Sequence, residues 1–165
     1  MSKIVILNTQ LGAPQVLGDL LQKIGCKNPG LAEWVRQIDT IPIIKECVEN
    51  ALTRLGQVNG IRQDSTVTDY YGKPYAGQLD GSLKTDKFPN GLGFKVNDQG
   101  MIEFVADDYK PEWREEIERL RKLFTDAFLA EATISILLIL GYEVKVSSTI
   151  TSGGELLFNL EGAKQ

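Results

Sequence analysis

Apolar residues recur at helical spacing in the first third of the chain, and this spacing predicts three amphipathic helices. The expected ranges are 14–24, 31–38 and 40–55. The third is the most regular, since its apolar positions repeat throughout the range and a glycine follows its end. Thr40 is a suitable cap for this helix, and Cys47 lies on its apolar stripe. We therefore expect Cys47 to be buried.

The longest helical pattern runs over residues 111–140. Pro111 suits a first-turn position, and Gly141 is expected to end the helix in a left-handed conformation. The last turns are apolar nearly all round, so they must be buried on several sides, either inside this domain or against another chain. The predicted protein-binding surface is this end of the helix, with residues Ile134, Leu137, Leu138 and Leu140.

Alternating apolar and polar residues predict the strands. A first strand is expected over residues 3–8. Two hairpins are expected, one from residues 93–96 with 101–106 and one from 142–150 with 155–160. Glycine occurs in both intervening segments, as tight chain reversals favour.

Residues 57–100 are rich in glycine, aspartate and tyrosine, and their apolar residues come only in short runs. Short strands are predicted over residues 58–61 and 66–70. Residues 72–91 are predicted as a long surface loop, and loops of that length are usually functional or mobile.

Together these elements predict a single α+β domain over residues 1–165. An antiparallel sheet of about five strands is expected to pack on the long helix and two shorter N-terminal helices. A ferredoxin-like arrangement is the named fold that fits this order of elements best.

Composition is that of an ordinary globular protein, because 42% of the residues are hydrophobic and 24% are charged. Histidine is absent, so Ser-His-Asp and Cys-His nucleophile arrangements and the common zinc sites are excluded. No cofactor and no metal are expected. The apolar runs are too short to span a bilayer and no secretory leader is recognised, so we expect a cytoplasmic location without membrane contact. Cys26 and Cys47 are then expected to be reduced thiols.

Three carboxylates, those of Glu103, Asp107 and Asp108, lie close together at the junction between a predicted strand and the long helix. They could hold a metal ion or act in acid–base chemistry. An aspartate at such a junction is more often a helix cap, and the interpretation we adopt is that Asp107 or Asp108 caps the long helix. The glycines near positions 81 and 91 do not follow a phosphate-binding pattern and indicate turns. No catalytic residue is predicted.

Aromatic and basic residues are interleaved over residues 70–95, in a chain whose formal net charge is −4. Tyrosines that stack on bases and lysines that neutralise phosphates are typical of single-strand nucleic-acid binding. The negative net charge opposes this function, because the field of the whole molecule repels a phosphate backbone. This surface is therefore the alternative candidate site, with residues Tyr70, Tyr71, Lys73, Lys84 and Lys87.

Several short motifs of the chain recur in a known family. They are Val-Asn-Gly-Ile-Arg at 58–62, Gly-Leu-Gly-Phe at 91–94, Glu-Phe-Val-Ala-Asp at 103–107 and Gly-Tyr at 141–142, besides the opening strand and Trp113. The chain thereby resembles the hypothetical chloroplast reading frame thirty-five family, a domain of unknown function in cyanobacteria and plastid genomes. It departs from the family in the glycine that opens the second motif and in an added segment over 26–40, as expected of a divergent member from a virus or mobile element.

The resemblance implies no established activity, but genes of bacterial relatives often stand beside genes for AAA+ ATPases. It therefore implies an adaptor or regulatory partner of such an ATPase. With the missing catalytic groups, this makes a non-enzymatic protein-binding or adaptor module the first hypothesis, with another protein or a second copy of the chain as partner. Single-stranded nucleic-acid binding is the alternative, and an enzyme built on the three carboxylates ranks last.

Overall fold

The computed structural model describes residues 4–8, 40–139, 141–150 and 156–164. The helices predicted over 14–24 and 31–38 lie outside these ranges. Within them the helices are α1 (Thr40–Leu55) and α2 (Pro111–Ile139). The strands are β1 (Ile4–Asn8), β2 (Arg62–Asp64), β3 (Gly81–Lys84), β4 (Leu92–Val96), β5 (Ile102–Asp107), β6 (Tyr142–Ile150) and β7 (Leu156–Lys164).

Five of these strands form one antiparallel sheet in the order β1-β5-β4-β3-β2, and β6 and β7 form a separate two-stranded sheet. The prediction of an α+β fold with an antiparallel sheet is confirmed. The ferredoxin-like arrangement is not, because α2 leads out of the large sheet into the β6–β7 hairpin, whereas helices of that fold connect strands of one sheet. Among the described residues, the strands form two separate sheets instead of the single sheet predicted.

The main core lies between the large sheet and the two helices. Phe94 of β4 stacks on Phe124 of α2 at a centroid distance of 4.1 Å, and Phe104 of β5 meets both rings edge-on. From α1, residues of the predicted stripe join this core, and both Leu52 and Cys47 are buried. Burial of a side chain of this size contributes roughly 1.5–3 kcal/mol, so these helices are held mainly by packing on the sheet.

The opposite face of the sheet is covered by residues 65–80, which we call the covering loop. Gly93 points away from Phe94 on β4, and a Cβ built on it would lie 2.9 Å from Cγ2 of Val67 and 3.0 Å from a methyl of Leu79. Val105, the partner of Gly93 on β5, is also fully buried. Glycine at position 93 therefore lets the covering loop lie directly on the sheet.

Three predictions for the central segment were wrong. Residues 58–61 are not a strand, and β2 begins after them, at Arg62. The region 66–70 forms only an isolated bridge between Thr68 and Pro74. The surface loop predicted over 72–91 contains β3, whose first three residues are buried. This strand has a single apolar residue, Leu83, so no alternation marks it. Its burial comes from its place between β2 and β4.

Both predicted hairpins are present, since β4 pairs with β5 and β6 pairs with β7. The second strand of the C-terminal hairpin runs four residues further than predicted, to Lys164 instead of residue 160. Gly141 follows α2 as expected, with φ +86° and its N–H donating to the Leu138 carbonyl at 3.0 Å. Neither helix of the described chain is long and apolar enough to cross a membrane.

Candidate functional site

The most prominent surface feature is a group of aromatic rings centred on Tyr70. Its ring contacts those of Tyr71, Tyr109 and Trp113 at centroid distances of 5.2, 5.3 and 6.0 Å. The three tyrosines stay exposed, at 44% for Tyr70, 75% for Tyr71 and 47% for Tyr109, whereas Trp113 is buried. We call Tyr70, Tyr71, Tyr109 and the adjacent Lys110 the tyrosine patch.

The side chain of Lys110 lies across two of these rings. Its Nζ is 5.2 Å from the ring centroid of Tyr70 and 5.2 Å from that of Trp113, which is the range of a cation–π contact. Behind them the fully buried Phe88 contacts Trp113 at 5.5 Å. The tyrosine patch thus rests on the core through Trp113 and Phe88.

The carboxylate of Asp107 joins the two chain segments that carry the tyrosine patch. Oδ2 accepts a hydrogen bond from the Tyr70 N–H at 2.7 Å, and Oδ1 accepts one from the Tyr109 N–H at 2.9 Å. Asp107 is the last residue of β5 and is fully buried. Capping of α2 was predicted for Asp107 or Asp108, and Asp107 does not fill that role, because α2 begins only at Pro111. At Asp108 the backbone carbonyl contacts the helix, accepting a hydrogen bond from Arg114 Nε at 3.0 Å.

Asp69 shapes the turn that carries Tyr71 and Lys73. Its Oδ1 accepts hydrogen bonds from the N–H groups of both residues at 2.9 Å, and its own N–H donates to the Lys73 carbonyl at 2.9 Å. Asn90 Nδ2 donates to the Asp69 carbonyl at 2.6 Å, which fixes the turn to the segment before β4. An aspartate that bonds the backbone ahead of it stabilises such a turn locally. The exposed turn is therefore ordered by its own hydrogen bonds.

Lys84, one of the predicted nucleic-acid-binding residues, is engaged within the fold. Its Nζ lies 2.8 Å from Oδ2 of Asp64 and 2.9 Å from Oγ1 of Thr66. The hydrogen bond from Lys84 lowers the pKa of Asp64 below its ordinary value. To contact a phosphate, Lys84 would have to leave both partners.

The other two predicted lysines are exposed, and their surroundings differ. Lys73 stands beside Tyr71 on the turn made by Asp69. Lys87 lines an open cleft of about 480 Å³ whose other lining residues are Glu112, Glu115, Glu116 and Arg119. Three carboxylates beside Lys87 oppose an anionic ligand there. Of the five predicted residues, the structure places Tyr70, Tyr71 and Lys73 on one turn.

Tyr109 and Lys110 belong to the tyrosine patch but were missed by the sequence prediction. They precede α2 and lie far along the chain from Tyr70, so no local pattern relates them. The one available indication was a tyrosine in a short polar segment before Pro111, where an aromatic ring has no helix stripe or strand face to join.

The predicted protein-binding end of α2 is partly covered. Ile134 and Leu137 are half-buried, and Leu138 is 57% exposed. Leu140 lies outside the described residues. The β6–β7 hairpin packs against α2, with Tyr142, Val144 and Val146 on its half-buried face as the alternation predicted. Leu138 is therefore the large apolar side chain that this end of α2 presents to solvent among the described residues.

Two of the three carboxylates considered for catalysis have structural contacts. Asp107 binds the two backbone N–H groups already described, and Glu103 Oε1 accepts a hydrogen bond from Asn97 Nδ2 at 3.1 Å. Across the part of the chain that the structure describes, no group of three or more histidine, cysteine, aspartate or glutamate residues is arranged to hold a metal ion.

Cys47 is a free thiol buried between α1 and α2, with its Sγ 3.4 Å from Oγ of Ser135. Burial raises the pKa of this thiol, which keeps it protonated and poorly nucleophilic. The same two helices are joined by an ion pair between Arg54 and the buried Glu131, at 2.7 Å. These polar contacts serve helix packing.

Comparison with known proteins gives no match: no family model, no curated protein and no solved structure matches this chain. The resemblance to the hypothetical chloroplast reading frame thirty-five family stays a prediction based on the short motifs.

Proposed function

We propose that the chain is a non-enzymatic protein-binding module and that the tyrosine patch is its contact face. The observation that carries the proposal is the exposure of Tyr70, Tyr71 and Tyr109 as one contiguous aromatic surface. Tyrosine is enriched at the centres of protein interfaces, where its ring supplies a large contact area and its hydroxyl can bond to the partner.

The main chain of the tyrosine patch is held in place before any partner binds, and this supports the proposed function. Interfaces gain affinity when the contact residues are fixed before binding, because less side-chain and loop entropy is then lost. Here the backbone of Tyr70 is held by Asp107, and that of Tyr71 by Asp69. Immobilising a free side chain costs roughly 0.5–1.5 kcal/mol on binding, so a pre-ordered patch avoids part of that loss.

Single-stranded nucleic-acid binding is the second candidate, favoured by the exposed ring of Tyr71 beside Lys73. The geometry of the rest of the surface opposes it. A base stacks on the face of a ring, and Lys110 already lies over Tyr70 and Trp113. With Lys84 engaged by Asp64 and a net charge of −4, a protein partner is the better match.

The partner implied by the resemblance is a larger assembly, with an AAA+ ATPase as the specific candidate. A second copy of the chain is the other candidate, through the α2 end at Leu138. The two surfaces lie at opposite ends of α2, since Tyr109 and Lys110 precede Pro111 and Leu138 lies one residue before its end. Separate substitutions can therefore test them independently.

The test is capture of a partner from native extract, identification of that partner, and reconstitution of the complex with purified proteins. A Tyr71→Ala/Tyr109→Ala variant is expected to weaken the reconstituted complex by about two orders of magnitude, since truncating an interface hot spot costs roughly 2 kcal/mol or more. Leu138→Ala is the matched control for a complex formed through the tyrosine patch, because it removes a similarly exposed apolar side chain at the other end of α2. For a dimer formed through Leu138, the expected effects of the two variants are reversed.

Light scattering during size-exclusion chromatography decides whether a second copy is the partner. Retention of the complex by the double tyrosine variant, or a wild-type monomer that captures nothing, would exclude the tyrosine patch as a protein-binding face. Binding of a labelled single-stranded oligonucleotide that weakens steeply with salt and requires Tyr71 would favour the second candidate instead.

A further inference from the structure

Asp107 is completely buried, and it accepts hydrogen bonds from two of the three exposed tyrosines of the patch, Tyr70 and Tyr109. Its two carboxylate oxygens accept from the Tyr70 and Tyr109 N–H groups, and the rings of these residues are 5.3 Å apart. Tyr70 belongs to the covering loop, whereas Tyr109 lies two residues after the end of β5. One side chain thus connects the main chains of the two halves of the tyrosine patch.

The position of Asp107 on β5 explains how it reaches the covering loop. Alternation along the strand puts Phe104 and Ala106 on the helix face, where both belong to the main core, and Val105 and Asp107 on the other face. A buried aspartate on an apolar sheet face is costly unless its oxygens are satisfied. Hydrogen bonds from backbone N–H groups to an ionised carboxylate are about twice as strong as neutral ones.

Helix capping does not account for this residue, because α2 begins at Pro111 and the Trp113 N–H donates to the Lys110 carbonyl. Metal binding does not account for it either within the described residues. Its hydrogen bonds with the Tyr70 and Tyr109 N–H groups lead instead to the tyrosine patch.

We infer that Asp107 is the positioning residue of the tyrosine patch: its carboxylate sets the main chain of Tyr70 against that of Tyr109 and so presets the surface that a partner meets. The expected effect of Asp107 on affinity rests on the proposed protein-binding function. Its expected effect on the arrangement of the rings requires no partner.

The decisive variant is Asp107→Asn, which keeps the size of the side chain but replaces one acceptor oxygen with an NH₂ group. That group faces a backbone N–H donor, so one of the two hydrogen bonds is lost. Asp108→Asn makes the same change of charge one residue further along and is the matched control. Val48→Ala, a fully buried position on α1, controls for a general loss of stability.

Nuclear Overhauser contacts between the rings of Tyr70 and Tyr109 report the arrangement directly. They are expected in the wild type, Asp108→Asn and Val48→Ala proteins and are expected to be lost in Asp107→Asn. With the purified partner, Asp107→Asn is expected to bind about tenfold more weakly, whereas both controls bind within about twofold of wild type. Ring contacts that persist in Asp107→Asn would overturn the inference, whatever the affinity.

Hydrogen exchange of the wild-type protein covers the case in which Asp107→Asn fails to fold. The Tyr70 and Tyr109 amides are expected to exchange more slowly than an unbonded loop amide, because Asp107 holds both. Exchange of either at the rate of an unstructured peptide would overturn the inference. If ring contacts depend on Asp107 but no partner binds, the positioning role stands and the proposed function fails.

Discussion

Gly93→Ala tests whether the covering loop can lie directly on the sheet only because position 93 has no side chain. The new Cβ would lie 2.9 Å from Cγ2 of Val67 and 3.0 and 3.1 Å from the two methyls of Leu79. Ordinary contacts between such carbons are about 3.5–4.0 Å, so these methyl groups must move by several tenths of an ångström. Val67 has little freedom to do so, because it is 1% exposed and its carbonyl accepts the Tyr75 N–H at 2.8 Å.

Overpacking of a buried site typically costs about 1–3 kcal/mol. Since the two Leu79 methyls end a flexible, half-buried side chain that can shift, we expect the lower part of that range, about 1–2 kcal/mol in the free energy of unfolding. For a chain of this size each kcal/mol lowers Tm by about 2–4 °C, which gives a decrease of roughly 2–8 °C. Urea unfolding followed by circular dichroism measures the free energy, and calorimetry measures Tm.

A double-mutant cycle with Val67→Ala isolates the proposed contact. Val67→Ala removes the methyl nearest to the new Cβ, so Gly93→Ala should cost clearly less in that background than in the wild type. If the two substitutions add without coupling, or if Gly93→Ala leaves the free energy of unfolding unchanged, the covering loop is not held against Gly93 in the way described.

Three further predictions concern an ion pair, a glycine with positive φ and a buried thiol. Because Lys84 lowers the pKa of Asp64, the stability that this carboxylate contributes is present at neutral pH and lost as the pH falls through its folded-state pKa. In a series of urea-unfolding curves recorded at decreasing pH, Asp64→Asn should therefore lose less of its free energy of unfolding than the wild type, by less than about 1 kcal/mol, because Asp64 itself is exposed and solvent screens the pair. Gly141→Ala should lower the free energy of unfolding by roughly 1–2 kcal/mol, because φ is +86° there; an unchanged denaturation midpoint would refute this. In a Cys26→Ser background, Cys47 should react with a thiol reagent only after urea is added, and prompt labelling of the native protein would contradict its burial.

The elements that were predicted well are those with a long hydrophobic pattern whose start and end are marked by residues close by in the sequence. Helix α2 was predicted within one residue at its end, because its apolar period and its bounding proline and glycine agree. The predicted hairpins followed from alternation and glycine-containing turns. Strand β3 was missed because Ser82 is buried by its neighbours, with its hydroxyl donating to the Thr66 carbonyl, and not by its own hydrophobicity.

The candidate site could be predicted only in part. Tyr70, Tyr71 and Lys73 were chosen for their composition, and they share one turn. The hydrogen bond between Asp107 and the Tyr70 N–H could not be predicted. An aspartate between a strand and a helix suggests a helix cap, and nothing in the nearby sequence points to Tyr70. The contact of Asp107 with Tyr70 spans 37 positions and exists only once the covering loop has folded over the sheet.

Helix α2, at 29 residues, is about 43 Å long. Its first turn supports Trp113 beneath the tyrosine rings, and its last turns meet the β6–β7 hairpin. It therefore separates the tyrosine patch from the Leu138 end by most of its length. Under the proposed function, a partner bound at the tyrosine patch leaves the Leu138 end accessible to a second partner.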